Sequence, residues 1–436
     1  MFSPASGDGV SKFYRPRNPS ATLFYQLASG HLNDLIQAYP ARYQKYYGFW
    51  RPAIGASLKK YLKCGDLKEG FARVRCPECG EEMFVSFSCK QRGACPSCDQ
   101  KRALLLGLRL ADEILESVPH RQWVFTIPKC LRTYFRLNRK LLGPLCRMAY
   151  ETVKEALARS IGDDFLVPGM VASIQTFGDL IHWNSHIHAL VSEGGFTENG
   201  RFVKMPEIDR FLCLGLWQSK VYRLLREQVP ASRPVIQTIR TWKHSGFSID
   251  NKVRIEAGDR EAIRRLAEYI ARCPFSLTRM STLNEQGQVV YKAIKAEPQA
   301  YPIMGNLFQA GPRRTSQVYD PLDFLAEVTQ HIPNKGEHQI RYSGWYSKKS
   351  RGMRAKKAAA ESNGGIVDKP RKCSLAWAAL IRLVYEVDPL KCPKCGSTMK
   401  VIAFIKKEDV IENMLKKSGL WYDSPVRPPP PVSLAA

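Results

Sequence analysis

The spacing of the cysteines near the amino terminus constrains the fold of this chain more than any other feature of its sequence. Cys76-Pro77-Glu78-Cys79 and Cys95-Pro96-Ser97-Cys98 are two CxxC turns separated by fifteen residues. Each such turn can present two thiolates to one tetrahedral zinc ion, and this spacing is typical of a zinc ribbon. Residues 82–88 alternate in part between apolar and polar and predict a hairpin strand between the turns. The sequence therefore predicts one zinc site formed by Cys76, Cys79, Cys95 and Cys98.

The remaining cysteines leave several assignments open. Cys64 and Cys89 either complete a second zinc site with a partner that the spacing does not identify, or pack as small buried side chains. A third turn of the same form, Cys392-Pro393-Lys394-Cys395, has no second pair close in sequence. Cys373 and His338 are its candidate partners, but the alternative is a turn that has kept its shape without a metal, and no zinc is predicted there. Four cysteines in apolar or helical surroundings are expected to be structural: Cys130, Cys146, Cys213 and Cys273.

The charge of the chain points to a polyanionic partner. Lysine and arginine outnumber aspartate and glutamate by 66 to 40, which gives a formal net charge of +26. A bound polyanion relieves such self-repulsion, and nucleic acid is the usual one. No segment approaches about eighteen uninterrupted apolar residues, and the first residues lack the charged head and apolar core of a secretory signal. We therefore expect a cytoplasmic protein with no membrane partner, whose cysteines bind metal or stay reduced.

A pair of histidines predicts a metal site of a different kind. His186 and His188 are separated by one apolar residue in the run Asn184-Ser185-His186-Ile187-His188-Ala189-Leu190-Val191. Successive side chains of a β-strand point to opposite faces, so both imidazoles share one face while the apolar residues between and after them can be buried on the other. Two neutral imidazoles side by side supply two of the three ligands of a divalent metal site. The pair alone is weak evidence, because such a triplet arises by chance in roughly one chain of this composition in seven.

Apolar periodicity around the histidines predicts a mixed α and β domain. Short apolar runs bounded by proline or glycine favour strands, and longer stretches with helical spacing favour helices. The expected strands are 123–128, 170–176 and 184–195, and the expected helices are 131–158, 211–227 and 260–272. Asp259 is the expected N-cap of the last helix. This order predicts an α+β fold in which an antiparallel or mixed sheet, with helices on one side, presents its histidine face to a cleft.

The helix after Asp259 carries a tyrosine at the edge of its apolar stripe. Ile263, Leu266 and Ile270 form the stripe through their spacing of three and four residues, and Tyr269 lies beside it. Such a ring most often only packs, although its hydroxyl can remain at the edge of a pocket. A nucleophilic role needs activation by a metal or a base, which composition alone does not supply.

Three motifs, in this order along the chain, resemble those of a known family. The segment from Cys64 to Cys98 resembles the transposase zinc-binding domain, and residues 175–191 resemble the nuclease core of the same proteins. These are the rolling-circle transposases of bacterial insertion sequences, which carry an HUH endonuclease named for two histidines around an apolar residue. The likeness runs from about residue 22 to residue 405 and includes residues 387–395. It implies an N-terminal zinc ribbon, then an HUH nuclease with a central antiparallel or mixed sheet and flanking helices, then a C-terminal basic region with a CxxC turn.

The resemblance assigns the nucleophile to Tyr269, which precedes the family's Ala-Arg-x-Pro run, here Ala271-Arg272-Cys273-Pro274. It implies a nick in single-stranded DNA at insertion-sequence ends, a 5′-phosphotyrosine link and transfer of the strand. Many members carry a second tyrosine one helical turn earlier, but Arg265 stands there, so the chain resembles the single-tyrosine branch. Either two protomers of a homodimer cooperate or one tyrosine is used in sequence. The alternative functions are a plasmid replication initiator or relaxase, and a zinc-ribbon DNA-binding regulator whose nuclease has decayed.

A divalent ion at the histidine pair is expected to polarise the scissile phosphate. Mg²⁺ or Mn²⁺ suits two imidazoles and one oxygen ligand during turnover, whereas the cysteines are expected to hold structural Zn²⁺. The third ligand of the divalent ion cannot be identified from spacing: Gln175 is the first choice, and Asp179 and Glu193 are alternatives. His182 is expected to contact DNA or to pack.

Basic and aromatic residues are interleaved between residues 341 and 372. Such a surface can follow a DNA backbone and stack single-stranded bases, whereas the composition of residues 358–365 favours a basic linker without fixed structure. The predicted DNA contacts are Arg272, Lys348, Lys349, Arg351 and Arg354, with Tyr342, Trp345 and Tyr346 as stacking platforms. The expected domains are a flexible N-terminus (1–21), a transposase zinc-binding domain (22–105), an HUH endonuclease domain (106–300), a basic DNA-binding extension (301–375), a C-terminal turn region (376–420) and a flexible tail (421–436).

Overall fold

The structure, a computed structural model, describes residues 18–206, 209–282, 287–303, 306, 308–309, 311–361 and 390–421. Predictions made for residues 1–17, 362–389 and 422–436, which include Cys373 and the basic residues at 369, 371 and 372, lie outside the described residues. Along the described chain, no helix has both the length and the apolar composition needed to cross a bilayer.

Helices and strands alternate along most of the chain. The helices are α1 (Leu23–Arg42), α2 (Gln44–Tyr47), α3 (Pro52–Leu62), α4 (Pro96–Arg109), α5 (Lys129–Leu137), α6 (Leu142–Ile161), α7 (Arg210–Gln228), α8 (Arg233–Arg240), α9 (Arg260–Ile270), α10 (Pro321–Thr329), α11 (Lys348–Glu361) and α12 (Glu408–Lys417). The strands are β1 (Phe71–Arg75), β2 (Glu82–Ser86), β3 (His120–Thr126), β4 (Val167–Phe177), β5 (Trp183–Phe196), β6 (Phe202–Lys204), β7 (Ser248–Asp250), β8 (Arg254–Ile255), β9 (Met280–Thr282), β10 (Val289–Lys292), β11 (Gln299–Ala300), β12 (Arg313–Arg314), β13 (Ser316–Tyr319), β14 (Ile340–Gly344) and β15 (Lys400–Ile405).

The chain forms two compact units, and the smaller contains a three-stranded sheet. Its middle strand, β1, is antiparallel to β2 on one side and to β15 on the other, so Phe71 is paired with both Ser86 and Ile405. The rings of Phe71 and Phe84 stack 4.5 Å apart and pack against Leu415 of α12. The strand predicted at 82–88 is thus present as β2. Its partner, however, is the strand before the first CxxC turn and not a strand between the two turns.

The larger unit contains an antiparallel sheet in the order β14-β4-β5-β3-β7, with β6 added to β5 and β8 added to β3. The strand β5 carries the histidine pair and is central, paired with β4 on one side and with β3 on the other. The prediction of a mixed α and β fold with antiparallel sheets is confirmed.

Both faces of this sheet are covered, because side chains alternate along β5. Ile187, Ala189 and Val191 are fully buried in a core that α5, α6, α7 and α8 complete. On the other face, Val171 and Leu190 pack with residues of α4 and α9. The expectation of helices on one side only was therefore wrong. Each buried aliphatic side chain contributes about 1.5–3 kcal/mol, so two apolar faces favour a sheet enclosed on both sides.

The helix α9 is fixed at both ends. The Asp259 carboxylate accepts a hydrogen bond of 2.9 Å from the Ala262 N–H, which confirms the predicted N-cap. The helix ends at Ile270, two residues earlier than predicted. Pro274 has no N–H to donate to the Ile270 carbonyl, which instead accepts from the side chains of Ser173 and Gln175 on β4. These two hydrogen bonds attach the end of α9 to the sheet.

The helix α9 also packs closely on α4. A Cβ at Gly107 of α4 would lie 3.3 Å from both the Cα and the carbonyl oxygen of Arg264. Only a residue without a side chain allows the two backbones to approach this far. The close approach positions the C-terminal turn of α9 over the sheet. The helix predicted at 131–158, by contrast, is divided into α5 and α6, with a break at Asn138.

Candidate active site

His186 and His188 project from the same face of β5 and converge, as the two-residue period of a strand predicts. Their Nε2 atoms are 3.0 Å apart. Neighbouring ligands of an octahedral ion are also about 3 Å apart when each lies about 2.1 Å from the ion. The spacing of the two nitrogens therefore fits a shared divalent cation.

The protonation of His186 is set by a backbone carbonyl. Its Nδ1 lies 2.8 Å from the oxygen of Asn184. Because a carbonyl can only accept, Nδ1 carries the proton and Nε2 presents its lone pair to the site. Burial lowers the pKa of His186 to about 4 against the opposing effect of this hydrogen bond, and the charges of Arg132 and Arg272 lower it further. The imidazole is thus neutral at pH 7, the form that binds a metal.

His188 is oriented by Gln122 of β3, whose side-chain amide nitrogen lies 3.1 Å from Nδ1. Burial, followed by the charges of His186 and Arg272, lowers the pKa of His188 to about 2, so this ring is neutral as well. If the amide is turned by 180°, its oxygen accepts a hydrogen bond from Nδ1–H, and Nε2 is then free to bind a cation. Gln122 was missed by sequence reasoning because it immediately precedes the predicted strand 123–128, whereas β3 begins at His120.

Gln175 supplies an oxygen on the same face. It lies directly opposite His186 in the β4–β5 register. Its amide nitrogen donates to the Ile270 carbonyl at 2.9 Å, and its Oε1 is buried without a hydrogen-bond partner among the described residues. An unsatisfied buried acceptor costs about 1–3 kcal/mol, and a cation would satisfy it. The donor set of two imidazoles and one amide oxygen therefore fits a divalent ion.

The two alternative third ligands have other partners. The Asp179 carboxylate accepts from Arg279 and from two backbone N–H groups. The Glu193 carboxylate accepts from Arg121 and from Arg254, each at 2.8 Å. Because these contacts occupy both carboxylates, the glutamine on β4 remains the strongest candidate.

Tyr269 lies beside the histidine pair. Its ring stands edge-on to His188, with centroids 5.4 Å apart and an interplanar angle of 89°. The residue is 44% exposed, so a substrate can reach the phenol. The Arg272 guanidinium lies 4.7 Å from the centre of the Tyr269 ring, where its positive charge can attract a phosphate. Arg265, one turn before Tyr269 on α9, forms an ion pair with Glu261 on the helix surface.

The first group of cysteines differs from the predicted one. Cys76 and Cys79 lie with Cys392 and Cys395, and the four sulfur atoms are all within 4.8 Å of one another. The pairs Cys76–Cys395 and Cys79–Cys392 are each separated by 3.5 Å. Tetrahedral zinc with Zn–S distances of about 2.3 Å places its sulfur ligands about 3.8 Å apart. The expectation of no zinc site at the C-terminal turn is thereby corrected, because β15 pairs with β1 and brings this turn to the first one.

The two turns of this group have the same local form. In each Cys-Pro-x-Cys-Gly turn the glycine N–H donates to the carbonyl of the first cysteine, from Gly80 to Cys76 at 3.1 Å and from Gly396 to Cys392 at 2.9 Å. Both glycines have positive φ, 71° and 78°, which a glycine adopts without strain. The shared sequence pattern was the signal that could have paired the turns.

The remaining cysteines of the N-terminal segment belong to different units. Cys64 and Cys89 lie in the smaller unit, where the Cys89 N–H donates to the Cys64 sulfur at 3.4 Å. Cys95 and Cys98 lie in the larger unit, at the start of α4. Within the smaller unit, the group formed by Cys76, Cys79, Cys392 and Cys395 has the donor set of a structural zinc site.

The basic helix α11 presents fewer free groups than its sequence indicates. Its first two lysines are exposed. Arg351 donates to the Tyr346 carbonyl at 3.1 Å, and Arg354 stacks 3.8 Å from the centre of a Trp345 ring. Trp345 and Tyr346 are themselves buried in the core beneath α4 and α9. Their predicted role in base stacking was therefore wrong.

Comparison with known proteins defines the class of protein. Residues 35–127 match the family model of the transposase zinc-binding domain, and residues 169–353 match the model described as putative transposase. The candidate active-site residues Gln175, His186, His188 and Tyr269 all lie within the second match. The chain is therefore a transposase that combines a zinc-binding domain with a transposase domain.

The chain is similar to two proteins that are described as transposases. The chain is 24% identical over 368 residues to the transposase for insertion sequence element IS801 of Pseudomonas savastanoi pv. phaseolicola, a match that covers 80% of this chain and 83% of that protein. It is also 24% identical over 338 residues to the putative transposase y4qJ of Sinorhizobium fredii (strain NBRC 101917 / NGR234), with coverage of 73% and 80%. No solved structure matches the chain.

Proposed function

We propose that this transposase nicks single-stranded DNA at the ends of an insertion sequence, with Tyr269 as the nucleophile, and transfers the cut strand. The observation that carries the proposal is the position of Tyr269, edge-on to His188 at 5.4 Å and open to solvent. A phenol beside two neutral imidazoles and an unpartnered amide oxygen is the arrangement that metal-assisted attack on a phosphodiester requires.

The proposed reaction conserves the number of phosphoester bonds. The Tyr269 hydroxyl oxygen bonds to phosphorus, the bond from phosphorus to the 3′-oxygen breaks, and the phenol proton is balanced by the proton that the leaving 3′-hydroxyl gains. The products are a 5′-phosphotyrosine link and a free 3′-OH. A 3′-OH of a second strand can attack the phosphotyrosine link in the reverse step, so strand transfer needs no ATP. Arg272, over the phenol ring, binds the scissile phosphate through its guanidinium.

A divalent cation, Mg²⁺ or Mn²⁺, would be held by His186, His188 and Gln175. When bound, it would neutralise the charge that develops on the phosphate oxygens. The protein's part is to hold both imidazoles neutral with Nε2 directed to one point, and the Asn184 carbonyl and the Gln122 amide do so. The group of Cys76, Cys79, Cys392 and Cys395 would hold structural zinc, and we place DNA binding at Arg272 and at the exposed lysines of α11.

A covalent adduct assay tests this proposal. The full chain is incubated with Mn²⁺ and labelled single-stranded oligonucleotides that carry the insertion-sequence ends, and protein-linked label is then measured after denaturation. His186→Ala is expected to lower adduct formation about 100-fold or more, the effect typical of losing a charge-stabilising group, while DNA affinity is retained. The exposed His244 provides the matched control His244→Ala. If wild type forms no adduct, the protein is a DNA-binding regulator; if His186→Ala loses DNA binding, the histidines are structural.

The Gln122 side chain gives a second test. Gln122→Leu removes the hydrogen bond to His188 Nδ1 and is expected to weaken Mn²⁺ binding by about 10- to 100-fold. Gln122→Glu, whose carboxylate only accepts, should fix the proton on Nδ1 and keep Mn²⁺ affinity near that of wild type. The measurement is calorimetric titration of the full chain, with Gln218→Leu on α7 as the control. Equal affinity of Gln122→Leu and wild type would contradict the orienting role.

A further inference from the structure

The larger unit contains a cavity of about 660 Å³ at the start of β5. It is lined by residues of α2 and α5, by the first residues of β5 and by the segment after β11. Neither Tyr269 nor the histidine pair lines it, so the cavity is separate from the candidate active site. Its volume lies within the range of cavities that bind small molecules.

One wall of the cavity is cationic. Lys129, Arg132 and Arg136 follow one another along one face of α5, and Lys45 of α2 joins them. The Nε of Arg136 is buried and has no hydrogen-bond partner among the described residues. Buried cationic groups of this kind are stabilised when a phosphate binds, because guanidinium groups match its oxygens.

The acidic residue of this wall, Glu327, does not cancel these charges. Its two carboxylate oxygens accept hydrogen bonds from the Tyr47 hydroxyl and from the Trp183 N–H. A single carboxyl group faces four cationic side chains in this cavity. Lys129 donates to the Gln309 carbonyl at 2.9 Å and Arg132 to the Ile127 carbonyl at 3.2 Å, and neither contact neutralises a positive charge. The wall therefore keeps a net positive charge toward an anion that enters from solvent.

The other walls are formed by aromatic side chains and by His182, one of whose ring nitrogens has no hydrogen-bond partner among the described residues. Tyr46, Tyr47, Trp183 and Tyr301 line the cavity. His182 stands edge-on to Tyr301, with centroids 5.7 Å apart. The residue is only 9% exposed, and its Nδ1 has no hydrogen-bond partner among the described residues. Flat rings beside a buried hydrogen-bonding group match the faces and edge of a nucleobase.

The cavity lies close to the histidine pair. His182 immediately precedes β5, and His186 is the fourth residue of that strand. The rise of a strand is about 3.3 Å per residue, so the cavity begins roughly 10 Å from the metal ligands. The charge of Arg132 acts on both His182 and His186. A nucleotide next to the scissile phosphate can therefore reach the cavity.

We propose that this cavity holds one unstacked nucleotide of the single-stranded substrate, with its base between the aromatic walls and its phosphate against the α5 cations. The proposal rests on the proposed nicking function and adds a subsite to it. The cavity would fix which phosphate lies at the histidine pair, because the base next to that phosphate is anchored.

Binding of two fluorescein-labelled strands to the full chain tests the subsite. One is a thymidine 20-mer, and the other is a strand of equal length in which every position is abasic, so that charge is matched and bases are absent. Tyr46→Ala is expected to lower the ratio of the affinity for the thymidine strand to the affinity for the abasic strand about fivefold or more. Tyr46→Phe is expected to keep this ratio. Lys45→Ala should weaken binding of both strands equally and reduce the slope of log Kd against log salt by about 0.7.

The controls are Phe165→Ala and Lys154→Ala, since both residues are exposed and lie outside the cavity. They are expected to leave the ratio of the two affinities unchanged. An unchanged ratio in Tyr46→Ala overturns the subsite, and the covalent adduct assay reports separately on nicking. If wild type forms no adduct but Tyr46→Ala still lowers the ratio, the proposed chemistry fails and the nucleotide-binding cavity stands.

Discussion

Tyr269→Phe is expected to abolish the covalent protein–DNA adduct while leaving DNA affinity within about twofold of wild type. The substitution removes one oxygen from a half-exposed side chain, and surface changes of this size alter free energies by about 0.5 kcal/mol or less. The ring stays in place, so its edge contact with His188 and its stack with Arg272 are preserved. The nucleophile alone is lost, and no other group on α9 can replace it, because Arg265 stands one turn earlier.

The matched control is Tyr150→Phe, a half-buried tyrosine on α6, which should form the adduct at the wild-type rate. Mass spectrometry of the digested adduct identifies the linked residue directly. An adduct of normal yield in Tyr269→Phe, or a linked peptide that lacks residue 269, would show that the nucleophile lies elsewhere.

Cys392→Ser combined with Cys395→Ser is expected to lower the zinc content by one ion per chain. Serine keeps the size of the side chain but offers no thiolate at neutral pH, so Cys76 and Cys79 lose half of their donor set. Structural zinc in small domains contributes roughly 10–16 kcal/mol in isolated peptides at pH 7. The loss should therefore also destabilise the sheet formed by β1, β2 and β15, which packs beside this group.

Elemental analysis of the purified chain measures the zinc content, and thermal unfolding followed by circular dichroism measures the stability. Cys213→Ala, which alters a core cysteine of the larger unit, should keep the wild-type zinc content. Cys76→Ser with Cys79→Ser should lower the zinc content by the same one ion as the Cys392 and Cys395 variant, because all four cysteines belong to one group. An unchanged zinc content in the Cys392 and Cys395 variant would contradict the grouping.

The sequence correctly predicted those structural features that depend on residues close to one another along the chain. The period of two along residues 184–195 and the N-cap at Asp259 depend on near neighbours, and both are found in the structure. The end of α9 was missed by two residues because it depends on hydrogen bonds from Ser173 and Gln175, which are about 95 residues distant in sequence. The proximity of Tyr269 to the histidines was implied by the family resemblance and not by any pattern within the chain.

Two errors have a common physical origin. An aromatic residue among basic ones has the same sequence pattern whether it stacks on bases or packs in a core, and Trp345 and Tyr346 pack. A CxxC turn likewise offers two thiolates without indicating where the other two lie. The prediction paired the two CxxC turns that are nearest in sequence. In the structure, the pairing of β1 with β15 determines which turns come together.

The distance in sequence between Cys79 and Cys392, 313 residues, has a consequence for biosynthesis. Translation proceeds from the amino terminus, so the first CxxC turn leaves the ribosome long before its partner has been made. The cysteine group can close only after residue 395 has emerged. A chain that ends before residue 392 would carry Tyr269 and both histidines but only two of the four cysteines of this group.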